Sequence, residues 1–216
     1  FNLPTVLSPQ RVPEKILNKL TLEQKIGQLF LIGSEEKTFT PQLGNLIKTI
    51  HPGGILLLSR NIENENQLKK IIEDISKISL KDNNLPIFVA VDQEGEPMSR
   101  IQFLNEKTSQ SEIKNIEQAY EIGLHRGNEL KNLGINLNLA PVLDVSQPGD
   151  FLFERSFQKD TEETGKLAKA LISGQKTAGI LTAVKHFPGY GGISFNPERK
   201  KLPLVVKIPE ISQFKK

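Results

Sequence analysis

Cysteine and tryptophan are absent from this chain, methionine occurs once and histidine three times. Without cysteine there is no disulfide, no thiolate metal site and no thiol nucleophile. With only three histidines, His51, His125 and His186, we do not expect a histidine-rich metal site. We expect His51 to end a helix and His125 to lie in the middle of one, so His186 is the histidine that we consider for a site.

Long apolar runs and a strong charge bias are missing as well. No run approaches the ~20 apolar residues of a membrane-spanning helix, so we expect no membrane partner. Lys and Arg number 28 against 25 Asp and Glu, which leaves a net charge of +3. This small, scattered surplus does not indicate nucleic-acid binding. With 37% hydrophobic and 25% charged residues among 216, the composition is typical of a globular protein.

Short apolar runs alternate with amphipathic segments along the chain. Since the apolar runs do not alternate with polar residues, they predict strands buried on both faces, as in parallel sheets. The predicted strands are Gly27 to Gly33, Gly53 to Leu58, Pro86 to Asp92, Ile135 to Asp144 and Gly179 to His186. The predicted helices are Pro13 to Leu20, Thr21 to Ile26, Pro41 to Ile50, Asn64 to Ile78, Ser111 to Leu133 and Thr161 to Ala178.

This alternation predicts an α/β fold with a parallel sheet. About five β/α units are visible, whereas a closed TIM-type (β/α)8 barrel has eight. The pattern fits either an incomplete barrel or an open five-stranded sheet. An incomplete barrel would expose apolar strand edges, and we therefore expect self-association of the chain through those edges.

Charged side chains follow several of the predicted strands, at the end where a barrel enzyme gathers its catalytic groups. Asp92 and Glu94 follow the third strand, and Lys185 and His186 end the fifth before a turn at Pro188-Gly189. Two further residues fit the same pattern, each with an ordinary alternative. Asp144, after the fourth strand, is either a ligand residue or an acceptor for loop amides. Arg155 is either a packed loop residue or a guanidinium that binds sugar oxygens.

Six segments, in order along the chain, resemble glycoside hydrolase family 3, and most closely its single-domain bacterial β-N-acetylglucosaminidases. The segments are LTLEQKIGQLFLIG, GGILLLSRNI, VAVDQEG, NLNLAPVLDV, ERSF and VKHFPGYG. The resemblance implies a (β/α)8 barrel that removes terminal N-acetylglucosamine from cell-wall-type glycans with retention. It identifies residues 1–216 as one barrel domain of this type whose C-terminal part is missing or degenerate.

The resemblance also assigns residues to a site. Asp92, Arg155, Lys185 and His186 match substrate-binding positions, and Arg100 matches the family's later arginine after VDQEG. The implied partner is a carbohydrate that contains N-acetylglucosamine. No metal or organic cofactor is implied, and the compartment stays open between the cytoplasm on one side and the cell envelope or secretion on the other.

The chain departs from the family where the catalytic groups should be. In the family, KHFPGHG is followed by an Asp-Ser-His triplet, whose aspartate and histidine form the acid/base, and a later strand carries an aspartate nucleophile. Here Tyr190 replaces the last histidine of KHFPGHG. Asn196-Pro197-Glu198 occupies the position of the Asp-Ser-His triplet. No aspartate or histidine follows His186. Glu198 is the one substitute acid that we consider, although its basic neighbours favour the ionised carboxylate.

Three functions are therefore compatible with the sequence. The first is an N-acetylglucosaminidase-type hydrolase. The second is a catalytically inactive protein that retains sugar binding through residues such as Asp92. The third is a truncated barrel fragment, an open α/β domain without a ligand.

Overall fold

The computed structural model describes residues 11–190, 192–197, 199 and 210–215. Six α-helices and seven strands lie in this part of the chain. The helices are α1 Arg11–Leu17, α2 Leu22–Gly27, α3 Pro41–Ile50, α4 Glu65–Asn83, α5 Ile116–Asn132 and α6 Thr161–Ala178. The strands are β1 Leu31–Gly33, β2 Gly54–Leu57, β3 Phe88–Val91, β4 Gln93–Gly95, β5 Met98–Ser99, β6 Leu137–Asn138 and β7 Leu181–Thr182.

Five strands form one parallel sheet in the order β1-β2-β3-β6-β7. Every pair is parallel, so each connection between neighbouring strands crosses over, mostly through a helix. The α/β prediction with a parallel sheet is confirmed. A second sheet was not predicted: β4 and β5 form an antiparallel hairpin directly after β3.

Local capping explains where the helices begin and end. The Thr21 side chain and Gln24 form a reciprocal capping box at α2, as the sequence predicts. Asn64, Asn115 and Asp160 cap α4, α5 and α6 with their side-chain oxygens. At the other end, α6 stops at Gly179, whose φ of 90° is the left-handed conformation that glycine adopts without strain.

All five predicted strands are shorter in the structure, most of all the first, the fourth and the fifth, and the fifth, predicted from Gly179 to His186, is only Leu181–Thr182. The first was predicted from Gly27, but the amides of Gln28, Leu29 and Phe30 bond back to carbonyls of α2, so β1 begins only at Leu31. The fourth was predicted to continue to Asp144, but β6 ends at Asn138. Pro141 has no N–H to give to a sheet ladder, which fits this early end.

The sheet buries one face against helices. Val89 and Val91 of β3 lie in the main apolar core with Leu68 and Ile71 of α4, and all four are at most 1% exposed. A second apolar cluster lies around α5 and α6 and includes the fully buried Phe157.

The opposite face of the sheet is partly open. Leu31 is 41%, Phe88 is 44% and Leu181 is 55% exposed. Strand alternation and register place these side chains on the face away from the main core. The prediction that the strands are buried on both faces is therefore wrong for these strands, because no described element covers this side completely.

Helices α5 and α6 pack at very short backbone distance. A Cβ on Gly123 would lie 2.1 Å from the carbonyl oxygen of Leu171, and one on Gly174 would lie 2.1 Å from that of Tyr120. Only glycine leaves room for this approach. Among the described helices, none is long and apolar enough to cross a membrane.

Candidate functional site

Charged side chains from distant parts of the chain meet at the carboxyl end of the parallel sheet. Five of them touch one another and are called here the carboxyl-end cluster: Asp92, Glu94, Arg100, Arg155 and Lys185. Since the carboxyl ends of parallel strands share one edge, residues that follow β3 and β7 come together there. The described part of the chain thus brings together four of the five predicted binding residues, and the fifth, His186, is next to Lys185.

Lys185 links the two carboxylates of the cluster. Its Nζ lies 2.6 Å from Asp92 Oδ1 and 2.6 Å from Glu94 Oε1. Arg155 holds Glu94 from another side, with Nε donating to Oε2 at 2.9 Å and Nη2 donating to Oε1 at 2.8 Å. This two-bonded geometry is the strong form of a guanidinium–carboxylate pair. Arg100 completes the cluster with Nη2 at 3.3 Å from Asp92 Oδ2.

The cluster is largely shielded from water. The Glu94 side chain is 2% exposed, and those of Asp92, Arg155 and Lys185 are 14–17% exposed. Burial opposes ionisation of Asp92, but the adjacent Lys185 and Arg100 outweigh it and hold the pKa of Asp92 below its usual value. Burial likewise opposes the charge of Arg155, but its bonds to Glu94 outweigh burial and raise the pKa of the guanidinium. These two groups are therefore charged at neutral pH.

The β4–β5 hairpin positions Glu94 and Arg100. The Gln93 side chain donates to Ser99 Oγ at 2.6 Å and accepts the amide of Ile101 at 3.0 Å, which ties the two strands together. Asn138 adds a bond from its amide group to the Gln93 carbonyl oxygen at 2.9 Å. The hairpin thus brings the Glu94 carboxylate to Lys185, and the Arg100 guanidinium that follows it to Asp92.

A buried arginine outside the predicted set supports the same hairpin. Arg126 of α5 is 0% exposed, and its Nη1 donates to the Glu94 carbonyl oxygen at 2.6 Å. Its Nη2 donates to Glu106 Oε1 at 3.1 Å. Burial lowers the pKa of Arg126, with Glu106 opposing the shift. The sequence held a signal for it, since Arg126 follows Ala119 and Ile122 at the helical spacing of a buried face.

His186 is bound to Asp144 rather than to the carboxyl-end cluster. Its Nδ1 lies 2.7 Å from Asp144 Oδ2, and its backbone amide donates to the same oxygen at 3.0 Å. The amide of Tyr190 donates to Asp144 Oδ1 at 2.5 Å. The Asp144 side chain is 0% exposed and that of His186 is 21% exposed. Asp144 thus has the second of its two predicted roles, an acceptor for loop amides.

The remaining candidates lie elsewhere. His51 ends α3, with Nδ1 at 2.5 Å from Asp82 Oδ2. The exposed His125 of α5 lies with Nε2 at 3.9 Å from Glu121. Glu198, the substitute acid, lies outside the described residues.

The chemistry of the site suits a hydroxyl-rich ligand. Carboxylate oxygens accept hydrogen bonds, whereas Lys and Arg only donate them, so the cluster presents both functions within a few ångströms. A metal ion would need ligands that are free of cations, but both carboxylates of the cluster are paired with Lys185. Within the described ranges, no group of three or more His, Asp or Glu side chains is arranged to hold a metal ion.

Comparisons with known proteins identify relatives of the chain. The model of the Glycosyl hydrolase family 3 N terminal domain matches residues 21–206. Beta-hexosaminidase A of Pseudoalteromonas piscicida is 31% identical over 200 residues, which are 80% of this chain and 33% of that protein. Beta-hexosaminidase of Photobacterium profundum is 37% identical over 153 residues, 66% of this chain and 44% of that protein. The chain thus spans a third to less than half of these relatives.

Solved structures give the same result for the fold. A family 3 beta-N-acetylglucosaminidase from Paenibacillus sp. str. FPU-7 superposes with a TM-score of 0.72 at 34% identity, over 79% of this chain and 34% of that one. NagZ from Neisseria gonorrhoeae superposes with a TM-score of 0.68 at 26% identity, over 76% of this chain and 50% of that one. These neighbours are TIM-type barrels, and the five described parallel strands match part of one. The prediction of a TIM-type barrel of which about five units are present is confirmed.

The family model covers most of the chain, and the curated relatives and solved neighbours carry names of one kind of enzyme. All the residues quoted for the family resemblance except Leu20 fall within the matched range. This chain therefore belongs to glycoside hydrolase family 3, and its residues 21–206 match the N-terminal domain of that family.

Proposed function

We propose that residues 1–216 form one barrel-type domain of a retaining β-N-acetylglucosaminidase-type glycoside hydrolase, which binds the terminal N-acetylglucosamine of a cell-wall-type glycan. The observation that carries the proposal is the carboxyl-end cluster, in which Lys185 joins Asp92 and Glu94 at the end of the sheet where barrel enzymes hold substrate. Relatives named beta-hexosaminidase support the substrate class.

In this proposal Asp92 accepts hydrogen bonds from sugar hydroxyls. Its lowered pKa keeps it ionised at neutral pH, and an ionised carboxylate has about four acceptor positions. Lys185 and Arg100 use part of this capacity, and the rest is available to a sugar. A hydrogen bond to a charged group contributes about 1.5–3 kcal/mol.

The cations supply the complementary donors. Lys185 has three N–H groups and contacts two carboxylate oxygens, which leaves one N–H for a hydroxyl or an acetamido carbonyl. Arg155 and His186 flank Lys185 and complete the proposed binding set. Arg100 contacts Asp92 through Nη2, and its buried Nε has no hydrogen-bond partner among the described residues.

Hydrolysis with retention needs a nucleophile and an acid about 5–5.5 Å apart. Asp92 is an unsuitable general acid, because its lowered pKa keeps the carboxylate ionised at neutral pH. Glu94 is held in ion pairs by Arg155 and Lys185. Asn196-Pro197-Glu198 stands where the family resemblance expects the Asp-Ser-His acid/base triplet, which leaves Glu198 as the substitute acid considered. These observations favour a second candidate function, sugar binding without turnover.

Separate measurements of binding and of turnover test both candidates. Calorimetry would give the affinity of the chain for N-acetylglucosamine, and a chromogenic β-N-acetylglucosaminide would report hydrolysis above the rate without enzyme. We expect Asp92→Ala to abolish binding and Asp74→Ala, an aspartate of α4 paired with Lys70, to leave it unchanged. Turnover lost in Asp92→Ala supports the hydrolase, and binding alone supports the second candidate. Absence of both overturns the proposal.

We also propose that the chain associates with itself. The partly open sheet face carries the exposed side chains Leu31, Phe88 and Leu181. Contiguous exposed apolar surface of this kind promotes association. A carbohydrate and a second copy are thus the proposed partners, and nucleic acid is not among them because the net charge is only +3.

A further inference from the structure

Asp144 is a buried carboxylate that accepts three N–H groups from one short loop. The Nδ1 and the backbone amide of His186 lie 2.7 and 3.0 Å from Oδ2, and the amide of Tyr190 lies 2.5 Å from Oδ1. With its side chain 0% exposed, Asp144 cannot itself reach a ligand in solvent. It can therefore influence a ligand only through His186 and Tyr190, whose N–H groups it binds.

The contact with Nδ1 determines which ring nitrogen of His186 carries a proton. An ionised carboxylate only accepts hydrogen bonds, so the nitrogen that faces it must be the protonated one. In the neutral imidazole the other nitrogen, Nε2, is then the acceptor, and it is free of Asp144. Since the ring remains 21% exposed, it is accessible to a ligand.

The same carboxylate fixes the backbone around the ring. The bonds to the amides of His186 and Tyr190 close the turn that follows Lys185. The Tyr190 ring lies on His186, with 5.1 Å between the ring centroids. Ring tautomer, ring orientation and loop path therefore depend on one buried group, which follows a different strand from His186.

We propose that Asp144 is a positioning residue of the sugar site: it holds His186 as the Nδ1-protonated tautomer, in a fixed orientation beside Lys185, so that Nε2 meets the sugar. The sugar-binding part of this statement rests on the proposed function. The alternative is that Asp144 only stabilises the loop and has no influence on the ring nitrogens.

Nitrogen-15 NMR of the histidine rings in the full chain distinguishes these alternatives without a ligand. With three histidines the spectrum is simple, and His51 provides a matched control because its Nδ1 also faces a carboxylate, that of Asp82. We expect Nδ1-protonated signals for neutral His186. Asp144→Asn, which replaces one acceptor oxygen by a donor amide, should change the His186 signals alone, and Asp82→Asn those of His51 alone.

Binding of N-acetylglucosamine is then measured on the same variants. We expect Asp144→Asn to weaken it about tenfold, the effect of one hydrogen bond in a binding constant, and Asp82→Asn to leave it unchanged. An Nε2-protonated His186 in the unmodified chain overturns the proposal, as does an Asp144→Asn variant with unchanged His186 signals or unchanged affinity.

Two further outcomes are also decisive. If Asp144→Asn does not fold, two other measurements take its place: the His186 tautomer in the unmodified chain and the affinity of His186→Ala for N-acetylglucosamine. Unchanged affinity of His186→Ala overturns the proposal. If the unmodified chain does not bind N-acetylglucosamine at all, the proposed function fails. The ring signals then decide by themselves whether Asp144 positions His186.

Discussion

Glu94 should be the most sensitive position of the carboxyl-end cluster, because it holds two cations in a nearly dry environment. Its side chain is 2% exposed, and those of Arg155 and Lys185 are 14% and 17% exposed. Removing one partner from a buried ion pair costs about 3–5 kcal/mol, mainly because the other charge is left without compensation. In Glu94→Gln, Arg155 loses its carboxylate, whereas Lys185 keeps Asp92. We therefore expect the lower limit, a loss of about 3 kcal/mol in the free energy of unfolding.

Urea unfolding followed by circular dichroism measures this loss. For a chain of this size it corresponds to a decrease in Tm of roughly 6–12 °C. Glu96→Gln is the matched control, since Glu96 is exposed two residues further on and its change should stay within about 0.5 kcal/mol. The double variant Glu94→Gln with Arg155→Gln removes both partners and should recover part of the loss. A loss below about 1 kcal/mol, the level of an exposed ion pair, would refute this account of the cluster.

Three further predictions concern other parts of the structure. Because the pKa of Asp92 is lowered in the folded chain, its contribution to stability is complete above about pH 4 and disappears as the pH falls further. The Tm of Asp92→Asn should therefore fall less steeply below about pH 4 than the Tm of the unmodified chain. Gly123→Ala should lower stability by about 1–3 kcal/mol in urea unfolding, because the added Cβ would meet the Leu171 carbonyl, and an unchanged midpoint would contradict that close approach. Leu181→Glu on the open sheet face should shift sedimentation toward the monomer, whereas Leu80→Glu, at an equally exposed position on α4, should not.

Local signals predicted α3 and α6 closely, whereas α5 begins five residues later than predicted, at Ile116, and α4 ends five residues later than predicted, at Asn83. The bounds of α3 and α6 agree with the sequence prediction at both ends. Each has a capping side chain before its first residue, and Gly179 stops α6 in the left-handed conformation. These signals act between neighbours in sequence, so one segment suffices to interpret them.

The β4–β5 hairpin could not be predicted in the same way. Its strands are only three and two residues long, and its turn lies at Glu96-Pro97. Besides the bonds that Gln93 makes within the hairpin, it is held by Asn138 and Arg126, which lie more than thirty residues away. The hydrophobic pattern of the local sequence therefore does not predict such a short hairpin.

Part of the candidate site was accessible from the sequence because the barrel topology places strand ends together. That rule, together with the family resemblance, predicts that Asp92 and Lys185 lie close together. It did not show that Glu94 is the common partner of Arg155 and Lys185. Nor could it choose between the two roles of Asp144, since that choice depends on which N–H groups the folded loop presents to the carboxylate.

The long sequence separations within the carboxyl-end cluster have a consequence for synthesis of the chain. Arg155 follows its partner Glu94 by 61 residues, and Lys185 follows Asp92 by 93. At roughly 5–20 residues per second, a ribosome needs about 5–19 seconds to add those 93 residues. Until Lys185 has been added, Asp92 has Arg100 and Glu94 has Arg155 as a cation, but nothing joins the two carboxylates. Completion of the cluster is therefore a late event in the maturation of the nascent chain.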